Sequence, residues 1–230
     1  MNDYSYFLTE GLIWLSLLIT VGAQIFINVT YKKFAQIKNK KNLTGAQVAK
    51  TILLANGLSK IQLTQTKGDL TDHFDPRAKA VTLSTAIYTQ TSVAALAVAA
   101  HECGHVLQEK DNFRFLRWRS SLVPVVNFAS YAGYFAIMVG LLFSSVSIFW
   151  LGILFEVVIL AFQLVTLPVE FDASRRALAQ LQKLDLCTMA ELPQAKKVLT
   201  AAAFTYVAGV LTALLQIVRL LAIFRNSNRD

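Results

Sequence analysis

Four stretches of this chain are apolar over roughly the length needed to cross a bilayer, and that leaves few folds open to it. They run over residues 7–31, 122–143, 148–167 and 201–224. A helix needs about 20 apolar residues to span the hydrocarbon layer, and lipid offers no partner to an unpaired backbone group, so each run is expected to be helical. Apolar residues make up 55% of the 230 positions, more than a water-soluble domain carries. The expected fold class is a mainly α-helical integral membrane protein with four transmembrane helices.

Charge orients the spans. No lysine precedes the first run, whereas Lys32, Lys33, Lys38, Lys40, Lys41 and Lys50 follow it. Basic residues gather on the cytoplasmic side, which places the N-terminus outside. The chain then divides into a first span over 1–31, a cytoplasmic segment over 32–119, a transmembrane hairpin over 120–168, a second cytoplasmic segment over 169–200, and a fourth span with an external tail over 201–230. The net charge of +8 is a topology signal on this reading. Membrane lipid is an expected partner and nucleic acid is not, since no basic and aromatic recognition motif accompanies the charge. Arg114, Arg117 and Arg119, interleaved with Phe113, Phe115 and Trp118, are the interfacial anchor expected just before an apolar run. Glu156, inside the third run, is expected to face the bundle interior, protonated and hydrogen-bonded to another helix, with a functional role as the alternative.

The cytoplasmic segment is expected to be a small α/β insertion. TGAQVAKTILLANG, over 44–57, has helical spacing with Thr44 as a cap and Gly57 as a stop. IQLTQT, over 61–66, and KAVTLS, over 79–84, alternate as strands do. KAVTLS is a candidate edge on which a peptide substrate lies as an added strand. LTDHFDPRAK between them is turn-rich and expected to be a solvated turn, with Asp72, His73 and Asp75 approaching the metal or orienting a ligand as the alternative. Residues 182–200 are expected to form one or two short amphipathic helices divided near Leu192 and Pro193.

Within this insertion stands HECGH, residues 101–105. The preceding SVAALAVAA is a strong helix former opened by Ser92 as N-cap, so His101 and His105 project from one helix face. Two imidazoles at that spacing, with Glu102 after the first, are the residues zinc hydrolysis needs: two ligands and a general base beside an open coordination position. The alternative, two hydrogen-bonded core histidines, would require two of only three histidines to fall at ligand spacing by accident. Cys103 points away from both and is read as a packed residue. Two crossings after His105 return the chain to the same side at Pro168. The first acidic residue there, Glu170, is the expected third ligand. Asp172 faces about 160° from it on a 3.6-residue helix, which suits Arg175, Arg176 or a histidine better.

Taken in order, TGAQVAKTILLANG, LTDHFDPRAKAVTLS, SVAALAVAAHECGHVLQ, PVEFDASRRAL and AAAFTYVAG resemble the YugP-like membrane zinc metallopeptidases of bacteria, a neutral zinc metallopeptidase family. The resemblance implies peptidase activity, Zn²⁺ as cofactor, protein or peptide substrates, a bacterial cell membrane, and PVEFDASRRAL as the segment supplying Glu170. The chain is similar, more distantly, to HtpX-type membrane proteases, whose downstream motif has an Asp four residues after the Glu; here that position is Ser174. The expected function is a zinc endopeptidase of the gluzincin type with its site at the cytoplasmic face. A noncatalytic zinc-binding scaffold is the alternative, against which Glu102 weighs, because structural zinc sites need no base. Intramembrane cleavage is a further reading, disfavoured by the polar QEKDN directly after the helix.

Overall fold

A computed structural model describes residues 3–68, 70–143 and 145–227. The chain is mainly helical, with a small sheet. Its elements are α1 (Asp3–Ala35), α2 (Gly45–Ala55), β1 (Gln62–Thr66), β2 (His73–Asp75), β3 (Ala80–Ser84), α3 (Thr85–Thr89), α4 (Val93–Lys110), α5 (Arg114–Leu142), α6 (Val146–Lys183) and α7 (Leu192–Ser227). Among the described residues, four helical stretches are long and apolar enough to cross a membrane: Thr9–Ala35, Arg114–Leu142, Val146–Lys183 and Leu192–Arg225. Residues 228–230, the end of the expected external tail, lie outside the described residues.

The chain forms two compact units. One takes the segments up to Gln24, Arg117–Leu167 and from Thr205 onward. In it α5 and α6 approach closely through small residues. A Cβ on Gly140 would meet the Phe149 backbone nitrogen at 2.7 Å, and one on Gly152 would meet Ile137 Cγ1 at 2.5 Å. Helices in lipid gain little from the hydrophobic effect and associate through such close packing. Phe149 and Ile153 of α6 are buried with Leu220 of α7, while Phe128, Tyr131, Phe135 and Leu142 face outward. Glu156 is half-buried in this unit.

The other unit takes Ile25–Leu116 and Pro168–Phe204. Its centre is α4, whose small residues Ala94, Ala95, Ala97, Ala99 and Ala100 are all buried and let neighbours close in on every side. Ser92 caps it, its Oγ accepting from the Ala95 N–H at 3.1 Å. Around it pack Val48, Ile52 and Leu53 of α2, Val81 and Leu83 of β3, Ala177 and Leu181 of α6, and Val198 and Leu199 of α7. Thr44 and Gln47 close a capping box at the start of α2.

Two expectations are corrected here. The sheet has the order β1-β3-β2, with β1 parallel and β2 antiparallel to β3. KAVTLS is therefore the central strand, hydrogen-bonded on both sides, and has no edge to offer a peptide. The loop between the two expected strands supplies the third: His73–Asp75 pairs with Ala80–Thr82, and Asp72 accepts from the Ser84 N–H at 2.7 Å to lock the ends together. Residues 182–200 do not form separate short helices either. α6 runs through Pro168 to Lys183, a short loop over 184–191 with two turns follows, and α7 continues unbroken from Leu192. Pro193 does not divide a helix; it sits in the first turn of α7, where a missing N–H costs nothing.

Candidate metal centre

His101 and His105 lie one turn apart on α4, with ring centroids 4.8 Å apart and planes at 84°. α6 delivers Glu170 between them. Its Oε2 is 3.2 Å from His101 Nε2 and 3.7 Å from His105 Nε2, and the three side chains are only 14%, 10% and 4% exposed for His101, His105 and Glu170. One ligand atom from each lies within 4.8 Å of the others. A tetrahedral zinc with bonds near 2.1 Å holds its ligand atoms about 3.4 Å apart, so these separations fit that ion, and an N, N, O donor set is chemistry that zinc accepts.

The two helices can bring these groups together because Gly104 has no side chain. A Cβ there would stand 2.4 Å from the Ala173 carbonyl oxygen. That contact sets the crossing of α4 and α6 midway between the histidines on one helix and Glu170 and Ser174 on the other.

Each histidine is held by its far nitrogen. Ser174 Oγ lies 3.2 Å from His101 Nδ1. As donor or acceptor, the hydroxyl orients the ring without dictating its proton. His105 Nδ1 lies 3.0 Å from Gln108 Oε1. Here the proton can be placed. Gln108 Nε2 donates to the Val169 carbonyl at 2.7 Å and to Asp172 Oδ2 at 3.0 Å, so Oε1 is the acceptor and His105 Nδ1 the donor. A neutral ring protonated on Nδ1 presents the lone pair of Nε2 toward Glu170, the form in which a histidine ligates metal.

Asp172 anchors this arrangement from behind. It accepts from Arg176 Nε at 2.6 Å and from Arg175, while Arg176 also pairs with Asp111 just beyond the end of α4. It reaches His105 only through Gln108, and the three-residue donor cluster does not include it. Gln108, fully buried, is a site residue that sequence reasoning missed. It lies three residues after His105, but a neutral amide there matches no ligand pattern, so the sequence carried no signal for it.

Glu102 is 7% exposed. Burial pushes its carboxyl up to about 7, opposed by the neighbouring His101 and reinforced by Glu170 and Asp72. Asp72 and His73 thus come near enough for their charges to act on Glu102, although His73 is exposed, its Nδ1 held to the Thr71 carbonyl at 2.9 Å, and lies outside the donor cluster. Asp75 caps its own turn, accepting from the Arg77 N–H at 2.8 Å. Cys103 faces away from the site, its Sγ 3.7 Å from the Ala49 carbonyl, and burial raises its thiol far above the usual range, leaving it unreactive.

Comparisons with known proteins bear on what such a centre does. Residues 10–225 match the family described as "Putative neutral zinc metallopeptidase". The chain is 38% identical over 212 residues to the "Putative membrane protease YugP" of Bacillus subtilis (strain 168), covering 92% of this chain and 94% of that protein. No solved structure matches it.

Proposed function

The chain belongs to this family of neutral zinc metallopeptidases, with zinc as its cofactor, and on that premise we propose that it is a membrane endopeptidase holding zinc through His101, His105 and Glu170. The observation that carries the reading is the convergence of both histidine Nε2 atoms on one Glu170 oxygen, beside a buried Glu102. A bound zinc supplies Lewis-acid polarisation of a carbonyl and a water made nucleophilic near neutral pH. Glu102 takes the proton of the attacking water and returns it to the leaving amine, a task suited to a buried carboxyl beside the two imidazoles. Gln108 and Ser174 hold the two imidazoles at their far nitrogens, and Asp172, braced by two arginines, holds Gln108. The glutamate third ligand makes this a gluzincin-type site, and its substrates are protein or peptide chains.

α4 is not among the four helices long and apolar enough to cross a membrane, which supports cleavage beside the bilayer rather than within it. The lysines in the last turn of α1 and beyond it support a site at the cytoplasmic face of a bacterial cell membrane.

Substituting Glu102→Gln tests the catalytic assignment. Zinc content should stay near the wild-type level while hydrolysis of an unfolded protein substrate falls by at least about 100-fold, the usual scale of a lost general base. A Glu102→Gln protein that retains zinc and cleaves at the wild-type rate refutes it.

A further inference from the structure

We propose that an outward groove between α1 and α7 is a binding site for one anionic phospholipid, distinct from the metal centre. The inference rests on the membrane placement of α1 and α7, not on peptidase activity. The groove encloses about 650 Å³ and lies wholly within the second of the two units. On α1 it is lined by Phe26, Val29, Thr30 and Lys33, which share one helix face. On α7 Lys196, Lys197 and Thr200 share the facing one.

The two walls are polarised in the same direction. Phe26 meets Phe204 edge-on at 5.7 Å, whereas Lys33 lines the groove with the beginning of α7. The helices therefore run antiparallel here, and three ammonium groups gather at one end. Phe26 and Phe204, both about half exposed, mark the apolar other end. Seven or eight residues of helix separate the two ends, about 10 to 12 Å. A phospholipid has that layout: an anionic phosphate, then ester oxygens, then an acyl chain. Thr30 and Thr200 lie between the ends as hydroxyl donors for the esters.

Charge decides the class of occupant. No carboxylate pairs with Lys33, Lys196 or Lys197 among the described residues. A single basic residue at the end of a transmembrane helix is an ordinary interfacial anchor, but three around one apolar groove, Lys33 resting 5.8 Å from the Phe34 ring centroid, form a cationic pocket with no carboxylate among the described residues paired to it. Each lysine near an anionic lipid surface contributes about 5-fold in affinity, so three together distinguish an anionic from a zwitterionic headgroup by roughly 10- to 100-fold.

Native mass spectrometry of the full chain, purified with zinc and offered phosphatidylglycerol and phosphatidylcholine, tests this. One phosphatidylglycerol per chain should be retained, with at least about 10-fold preference over phosphatidylcholine. Removing the cations (Lys33→Gln, Lys196→Gln and Lys197→Gln together) should abolish the preference. Filling the apolar end (Val29→Trp) should lower retention with the lysines intact. A control that removes three cations elsewhere (Lys60→Gln, Lys67→Gln and Arg77→Gln) should change neither, and zinc content measured on the same samples reports folding. Equal retention of the two lipids by wild type would overturn the proposal. So would an equal loss in the control, which would reduce the effect to net charge. Displacement of the lipid by inorganic phosphate at the same concentration would make this a phosphate site. Displacement by an acidic peptide, lost in the lysine variant, would assign the groove to substrate instead.

Discussion

At the scale of single residues, the account turns on how the two imidazoles are held. The convergence of His101, His105 and Glu170 was legible in the sequence, because four-residue spacing puts the histidines on one helix face and the two apolar runs between His105 and Glu170 can bring the chain back to it. The partners behind them were not. Gln108 is neither charged nor part of a spacing rule, and only the carbonyl of Val169 and the carboxylate of Asp172, both on a distant segment, reveal which way its amide points. Ser174 is equally silent until α6 lies against His101. Groups that orient a metal-ligating histidine typically contribute 10- to 100-fold in metal affinity. Gln108→Ala should therefore weaken zinc binding by about that factor, read by competition with a chromogenic chelator, and Asp172→Ala should weaken it in the same direction through Gln108. Wild-type affinity in Gln108→Ala would mean that His105 is positioned by something else.

At the scale of elements, the crossing of α4 and α6 matters most. Replacing glycine by alanine inside a helix ordinarily stabilises by about 1 kcal/mol through propensity. At position 104 the added methyl group would overlap a backbone oxygen at 2.4 Å, and overpacking of a well-packed core costs about 1 to 3 kcal/mol or more. The clash wins because the obstructing atom belongs to a helix backbone and cannot rotate aside. Gly104→Ala should lower the midpoint of thermal unfolding and lose zinc, since α6 must move with Glu170 on it; a raised midpoint with full zinc would contradict the crossing. The long helices were legible because their apolar runs exceed any other element's length. β2 was not, being three residues beside a proline, too short for its alternation to register. Its formation moved KAVTLS from edge to centre. Pro193 misled in the opposite sense: a proline reads as a break unless the start of the helix is known, and here it lies in that first turn.

For the whole molecule, the proposed zinc site joins two distant stretches of chain, and its proposed side of the membrane is the cytoplasmic one. Sidedness can be read with a membrane-impermeant thiol reagent on intact cells, after replacing Cys103 and Cys187 by alanine. A cysteine introduced at Ser145, between α5 and α6, should be labelled, and one at Lys60 should not; the opposite pattern would invert the topology. Neither outcome touches the chemistry, which depends on residues 69 positions apart in sequence, His101 and Glu170, meeting at one metal. The most direct measurement is the zinc content of the purified protein and of its Glu170→Ala variant. The account predicts about one zinc per wild-type chain, as a three-ligand catalytic site holds, and close to none in the variant. A folded Glu170→Ala protein that keeps its full zinc would contradict it.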